Sequence, residues 1–187
     1  MITISKSLKD NVDNLNINDL IQLLKNNYKP SRIKQYGGKG LTYYEYIHED
    51  DNKYVKPYFD FDYKIKKEYE EKIDDMVEKI YDDILCSMMD IFSINDEEMS
   101  LSCDNRPIEK DDYIFKISYH CIIHKKILYK DLRMLIPLIS RYTENQYNLL
   151  VDNQPYHKGK QKIRTIMSKK TIEDKNSLLK PLNNMDN

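Results

Sequence analysis

The sequence predicts an α+β fold, in which helices pack on one face of a mostly antiparallel sheet. Short segments rich in aromatic and branched residues have the composition of β-strands, and longer segments have apolar residues at helical spacing. From residue 54 these segments follow the order strand, helix, strand, strand, helix, strand, strand. A chain of 187 residues with 40% hydrophobic and 33% charged residues can form one globular domain, or two small lobes that share a cleft.

The first 53 residues are predicted to form a small N-terminal α/β module. Apolar residues at helical spacing after a polar cap predict a helix over residues 17–27. A glycine-rich stretch at 37–40 predicts a turn, and residues 41–47 predict a strand. The pattern GxxxxGK[ST] is absent from the sequence, which excludes a P-loop.

The central module, residues 54–170, is predicted to contain the main sheet. Strands are predicted over 54–63, 99–103, 113–123, 149–152 and 163–167, and helices over 66–92 and 131–142. This order is close to the RRM-like β-α-β-β-α-β pattern, with helices on one face of the sheet. Residues 171–187 contain few apolar side chains and are predicted to form a tail or linker.

Composition argues against a membrane span and against secretion. No apolar run approaches the ~20 residues needed to cross a bilayer, and the N-terminus lacks the apolar core of a signal peptide. The three cysteines, Cys86, Cys103 and Cys121, are widely spaced without a CxxC pattern, which favours reduced, buried thiols over a zinc site. We therefore expect an intracellular protein without a membrane partner.

Charge is divided unevenly along the chain. Residues 1–104 contain 14 Lys+Arg against 22 Asp+Glu, a net charge of −8, whereas residues 105–170 contain 14 against 6, a net charge of +8. This asymmetry favours a polyanionic partner that approaches from one side. For any single charged run, a solvated surface is the alternative.

Two aspartates alternate with two phenylalanines in the sequence YFDFD at 58–62. Because successive strand side chains point to opposite faces, Asp60 and Asp62 are predicted on one face and Phe59 and Phe61 on the core face. Paired carboxylates favour a divalent cation such as Mg²⁺ or Mn²⁺. Asp152 would complete a set that holds two ions for phosphoryl transfer if the sheet brings it nearby. The alternative for the pair is a surface feature or a turn ion pair, and the alternative for Asp152 is a helix-capping or turn aspartate.

The sequence KISYH at 116–120 predicts Lys116, Ser118 and His120 on one face of a strand. A cation, a hydroxyl and an imidazole are suited to binding phosphate oxygens. Ser118 and His120 would lie about 6–7 Å apart, which is too far for a nucleophile and its base. His124 shares this face, but no set of ligands completes a metal site around it, so it remains unassigned.

A basic segment begins near residue 157. Lys158, Lys160 and Lys162 alternate with other residues, and Arg164 and Lys170 follow. In an extended conformation the three lysines and Arg164 would form a basic stripe that binds a triphosphate, a template backbone or both. A solvated loop is the alternative.

Together these motifs resemble the archaeo-eukaryotic primase superfamily, especially its primase-polymerases and the primase domains of large nucleocytoplasmic DNA virus primase-helicases. In that family an acidic motif, an SxH motif, a hydrophobic-Asp motif and a basic segment occur in this order. They correspond here to residues 58–62, 116–120, 151–152 and 164–170, and the match spans residues 57–170. One departure is Gln161, where the family often has an additional arginine.

The resemblance implies the catalytic core of a DNA primase or primase-polymerase, which transfers nucleotides on a template with two Mg²⁺ or Mn²⁺ ions. It implies that the metal ligands are Asp60, Asp62 and Asp152. It implies that the nucleotide's phosphates contact Lys116, Ser118, His120, Arg164 and Lys170. The template role is assigned from the charge of the basic stripe, to Lys158, Lys160 and Lys162.

The partners expected from the resemblance are single-stranded DNA, an NTP or dNTP, and a replicative helicase. The expected location is a viral replication compartment in a host cell. Two alternatives remain open at this point. One is another metal-dependent enzyme, such as a different nucleotidyltransferase or a nuclease, and the other is a non-catalytic nucleic-acid-binding subunit.

Overall fold

A computed structural model describes residues 17–27, 29–30, 44–47, 50–156, 161–164 and 177–182. The helices are α1 (Ile17–Asn27), α2 (Ile73–Phe92) and α3 (Tyr129–Tyr147). The strands are β1 (Lys29–Pro30), β2 (Tyr44–Ile47), β3 (Tyr54–Val55), β4 (Tyr58–Lys66), β5 (Met99–Cys103), β6 (Arg106–Lys110), β7 (Tyr113–Ile123), β8 (Lys125–Leu128), β9 (Gln161–Arg164) and β10 (Lys180–Pro181). The fold is therefore α+β, as predicted.

The main sheet is built around β7. β4 pairs with one edge of β7, β5 and β6 pair with the other edge, and β10 pairs with β5. Because β4 and β5 are both antiparallel to β7, they run parallel to each other, and α2 connects them as a split β–α–β unit. Two smaller antiparallel sheets have the strand orders β1-β8-β3 and β2-β9.

The hydrophobic core lies between one face of the main sheet and the helices. Alternate residues of β4, including Phe59 and Phe61, are fully buried, and so are Ile117 and Cys121 on β7. The ring centroid of Phe59 lies 5.6 Å from that of Phe92 at the end of α2. The opposite face of these strands therefore carries the intervening polar residues.

The helix predicted over 66–92 is wrong in its first part. Residues Lys67–Lys72 form a 3₁₀ segment in which none is buried and Tyr69 has non-helical angles (φ −110°, ψ 18°). This segment, KEYEEK, has no apolar stripe, and helices in proteins are stabilised mainly by packing an apolar face. The α-helix begins at Ile73, where the apolar periodicity begins, and Ser93 follows it in the left-handed region (φ 48°).

The helix predicted over 131–142 is longer at both ends. It begins at Tyr129, directly after β8, and Asn148 ends it in the left-handed region (φ 55°). Asparagine is one of the residues that adopt this conformation at a helix end. The bounds predicted for α1, β5 and β7 are confirmed.

Other strand predictions need correction. The strand predicted over 149–152 is wrong, because residues 149–153 have no regular secondary structure. The strand predicted over 54–63 divides into β3 and β4, and β9 begins at Gln161 rather than at 163. β6 and β8 were not predicted, since both are short and rich in charge. The predicted turn at 37–40 and residues 41–43 and 165–167 lie outside the described residues.

The C-terminal stretch 177–182 belongs to the main sheet rather than to a linker. Ser177 and Leu179 are buried, and Lys180 in β10 lies opposite Cys103 in β5. The backbone N–H of Leu182 donates to the carbonyl of Leu101 at 2.9 Å. The tail predicted over 171–187 is thus corrected for these residues, while 171–176 and 183–187 lie outside the described residues.

Two of the three cysteines are buried as predicted, namely Cys103 and Cys121, and burial raises the pKa of both thiols. Cys86 is exposed on α2, which corrects the prediction for that residue. Among the described helices, none combines the length and the apolar composition needed to cross a membrane.

Tyr156→Phe should destabilise the fold. The buried Tyr156 hydroxyl accepts a hydrogen bond from the N–H of Tyr58 and donates one to its carbonyl, both at 2.8 Å. The substitution removes this partner from two backbone groups, so we expect the free energy of unfolding to fall by about 1–3 kcal/mol in urea denaturation. The control Tyr69→Phe, at an exposed residue, should change it by less than about 0.5 kcal/mol. Equal effects of the two substitutions would contradict the prediction.

Candidate functional site

The sheet face opposite the core carries polar side chains in three rows that run across the strands. Residues directly opposite each other in an antiparallel pair share a face. The histidine row is Asp60, His120 and Ser102; the serine row is Asp62, Ser118 and Asp104; the cation row is Lys64, Lys116 and Arg106. The acidic motif and the SxH motif therefore meet on one face.

The histidine row joins the first acidic residue to the SxH motif. The Nε2 atom of His120 lies 3.6 Å from Oδ1 of Asp60. The His120 side chain is 9% exposed, and the ring of Tyr58 meets it edge-on at a centroid distance of 5.5 Å. The imidazole is therefore held between a carboxylate and an aromatic ring on a largely buried part of the face.

In the serine row, the Asp62 carboxylate is stabilised in its charged form. Partial burial raises its pKa, but the adjacent Ser118 hydroxyl and the Lys116 ammonium outweigh burial, so the pKa is lowered overall. The Lys116 Nζ lies 2.9 Å from Asp62 Oδ2. Asp62 is thus an ionised carboxylate at neutral pH, on a side chain that is about half exposed (48%).

Asn105 keeps β5 and β6 in the same register along β7. Its side-chain oxygen accepts a hydrogen bond from the Ser118 N–H at 2.9 Å, and its amide nitrogen donates to the Tyr119 hydroxyl at 3.1 Å. The Asp104 N–H donates to the Ser118 carbonyl at 2.9 Å. A side chain thus replaces one backbone acceptor of the ladder, and pairing resumes at Arg106 opposite Lys116.

Sequence analysis missed two charged residues of this face, Asp104 and Arg106. The Asp104 side chain is almost completely buried, and Arg106 Nη1 lies 3.2 Å from its Oδ1. A buried carboxylate is costly without such a partner. The signal that could have found these residues is the alternation of Ser100, Ser102, Asp104 and Arg106, which has the period of a strand.

Asp152 is joined to β4 through the backbone. Its N–H donates to the carbonyl of Asp60 at 2.8 Å, so the third predicted acidic residue lies next to the first. Its Oδ1 accepts a hydrogen bond from the Gln154 N–H at 2.8 Å, as in an Asx turn. Both interpretations from the sequence therefore describe this residue: it is a turn aspartate, and it adjoins Asp60.

The donor types on this face, though not their grouping, are those that bind a hard divalent cation. Asp60, Asp62 and Asp152 provide carboxylate oxygens, the ligands that Mg²⁺ and Mn²⁺ prefer. Asp60 and Asp62 are two residues apart on one strand face, where both can reach one ion. In the part of the chain that the structure describes, no three Asp, Glu, His or Cys side chains are grouped closely enough to hold a metal ion.

The basic segment is described only in part. Lys162 and Arg164 belong to β9, where they lie opposite Tyr46 and Tyr44 of β2 rather than in the main sheet. Lys158, Lys160 and Lys170 lie outside the described residues. The template and phosphate contacts of this segment stay predictions.

His124 lies beyond the three rows and links β5 to the end of β7. Its Nε2 lies 2.6 Å from the Ser100 hydroxyl. Burial and the nearby charge of Lys56 lower its pKa, which keeps the ring neutral at pH 7. We interpret this contact as structural.

A cavity of about 450 Å³ lies on the helix side of the main sheet, away from the three rows. Its walls include Val77 and Tyr81 of α2, Tyr119 of β7 and Leu182. The polar rows therefore do not line this cavity.

The fold and the site define an α+β protein with charged side chains in rows on one face of an antiparallel sheet. Comparison of the sequence with models of known protein families and with curated protein sequences finds no match in either set. The functional interpretation therefore depends on the geometry and chemistry of the three rows.

Lys116→Met should raise the pKa of Asp62, because burial then acts without the neighbouring cation. In the unchanged protein the folded-state pKa is lower than the unfolded value of about 3.9. The ionised carboxylate therefore stabilises the fold above about pH 4, and this contribution is lost as the pH falls through the lowered folded-state pKa. Carboxyl NMR titration measures the shift. The control is Lys79→Met, at an exposed lysine. If Asp62 has the same pKa in Lys116→Met and in this control, Lys116 is not a cause of the lowered pKa.

Proposed function

We propose that this protein is the catalytic core of a DNA primase or primase-polymerase of the archaeo-eukaryotic type. The observation that best supports this proposal is the register of β4 and β7, in which Asp60 lies opposite His120 and Asp62 opposite Ser118. The backbone hydrogen bond from Asp152 to Asp60 adds the third motif. Three short motifs that are distant in sequence thus adjoin one another, as a shared site requires.

In this proposal, Asp60, Asp62 and Asp152 would hold two Mg²⁺ or Mn²⁺ ions. Such ions, when bound, activate an attacking hydroxyl and neutralise charge on a triphosphate. The ionised state of Asp62 supports a ligand role, because a ligating carboxylate must be deprotonated. The split β–α–β unit of the main sheet supports an RRM-like catalytic module.

Lys116, Ser118 and His120 would bind the phosphates of the incoming nucleotide. The ammonium and the imidazole N–H can donate charge-assisted hydrogen bonds to phosphate oxygens, and the hydroxyl adds another donor. The strand holds these groups two residues apart on one face, next to the carboxylates. Phosphoryl transfer depends mainly on such positioning and on electrostatic stabilisation.

The substrates in this proposal are an NTP or dNTP and a single-stranded DNA template, and a replicative helicase is the proposed partner. The net charge of +8 over residues 105–170 supports a polyanionic substrate. Arg164 and Lys170 would contact the triphosphate, and Lys158, Lys160 and Lys162 would contact the template.

Asp60→Asn and Asp152→Asn should each reduce nucleotide incorporation by at least about a hundredfold, because each removes a charge aimed at the reacting groups. The assay follows labelled nucleotides on single-stranded DNA with Mg²⁺ or Mn²⁺, with and without an annealed primer. The control Asp75→Asn, on the exposed first turn of α2, should retain activity, and circular dichroism should show the same fold for all variants.

Each outcome of this assay has a distinct meaning. Products without a primer would identify a primase, and extension of a primer alone would identify a polymerase core. Synthesis that survives in Asp60→Asn would contradict the proposal. Metal-dependent degradation of the DNA would instead identify a nuclease.

Replacing Lys158, Lys160 and Lys162 together by glutamine should weaken binding of single-stranded DNA and flatten its salt dependence. Loss of three phosphate contacts should lower the slope of log K against log salt by about 2 units. Fluorescence anisotropy over a salt series measures this slope. The control replaces Lys67, Lys72 and Lys79, all exposed near or on α2. If the slope of log K against log salt is the same in both triple variants, the basic stripe does not bind the template.

A further inference from the structure

The cation row places three positive charges side by side on neighbouring strands. Lys64 lies directly opposite Lys116, which lies directly opposite Arg106. Like charges that face each other across a sheet are destabilising. Two carboxylates of the serine row reduce this repulsion, since Asp62 contacts Lys116 and Asp104 contacts Arg106. The Nζ atom of Lys64 lies 5.8 Å from the centroid of the Tyr113 ring. Three cations beside two carboxylates leave this part of the face with a positive charge.

Arg106 is held in a defined orientation. Its Nη1 atom lies 3.2 Å from one oxygen of Asp104 and 3.3 Å from the other, and the Asp104 side chain is only 2% exposed. A guanidinium offers five N–H donors in a rigid fork that matches phosphate geometry. The buried carboxylate therefore orients the guanidinium, on a side chain that is itself only 15% exposed.

The dimensions of the row favour a compact anion with several charges. Neighbouring strands lie about 4.7–4.9 Å apart, so the backbone positions of the three cationic residues lie within about 10 Å of one another. A terminal phosphate group carries a charge of about −1.5 to −2 and three acceptor oxygens. A phosphodiester in a nucleic-acid backbone carries a single charge and would engage about one cation.

We propose that the cation row binds the terminal phosphate of a triphosphate chain and selects triphosphates over diphosphates. Lys64 and Arg106 would be specificity-determining residues on either side of Lys116. The row lies two residues, about 6–7 Å, beyond the serine row along each strand. A triphosphate whose first phosphate group lies at Ser118 would therefore place its terminal phosphate at the cation row. This orientation rests on the proposed function.

The test measures phosphate binding without synthesis. Calorimetry compares inorganic tripolyphosphate with pyrophosphate in Mg²⁺ buffer, and anisotropy follows a single-stranded oligonucleotide without terminal phosphates. We expect tripolyphosphate to bind about tenfold more tightly than pyrophosphate, because it reaches one further cluster of charge-assisted donors. Lys64→Gln should remove most of this preference. The control Lys79→Gln, which removes one exposed charge from α2, should keep it.

Arg106 needs a matched pair of variants, because its removal alone would leave Asp104 buried without this cation. The double variant Asp104→Asn with Arg106→Gln removes both charges and should lose the preference for tripolyphosphate. Arg106→Lys keeps the charge but not the fork, and should retain an intermediate preference. Equal affinity of the unchanged protein for the two probes would overturn the inference. An unchanged preference in Lys64→Gln and in the double variant would also overturn it.

Two further results separate this inference from the proposed function and from backbone binding. If these variants lose oligonucleotide binding but keep tripolyphosphate binding, the row contacts a nucleic-acid backbone and the inference is overturned. If the phosphate results are as expected but no nucleotide is incorporated in any condition, the phosphate site stands and the primase proposal fails.

Discussion

The antiparallel register of β4 on β7 is the constraint on which the site depends. Side chains alternate faces along a strand, so a slip of one residue would exchange Phe59 and Phe61 with Asp60 and Asp62. Such a slip would bury two carboxylates in the helix-covered core and expose two aromatic rings. The cost of desolvating those charges therefore fixes the partners of His120 and Ser118 on the opposite face. The apolar face determines the geometry of the polar one.

The polar face balances its charges between neighbouring rows rather than within a row. The cation row contains like charges opposite one another, but the serine row beside it supplies the opposite charge. The contact between Asp62 and Lys116 is diagonal between strands, and the contact between Asp104 and Arg106 runs along one strand. This pattern stabilises a concentrated set of charges without cancelling it. The face thus keeps carboxylates and cations close together.

Connections outside the regular ladder complete the site. Asn105 supplies an acceptor where β5 and β6 are interrupted, which keeps Arg106 in register with Lys116. The hydroxyl of Tyr156 bonds both backbone groups of Tyr58, and the N–H of Asp152 bonds the carbonyl of Asp60. An irregular segment thus holds a charged side chain beside a strand without forming a strand itself.

Local periodicity in the sequence determined the α+β class, the helix over 17–27, the strands over 99–103 and 113–123, and the alternation that separates Asp60 and Asp62 from the core. A period of two assigns residues to a face, but it names neither the partner strand nor the register. The tertiary structure alone decided that Asp104 and Arg106 join the SxH strand and that residues 177–182 extend the sheet. It also decided that residues 149–153 stay irregular beside β4. These outcomes depend on contacts between segments that are distant in the sequence. The free energy of such contacts cannot be inferred from a local sequence pattern.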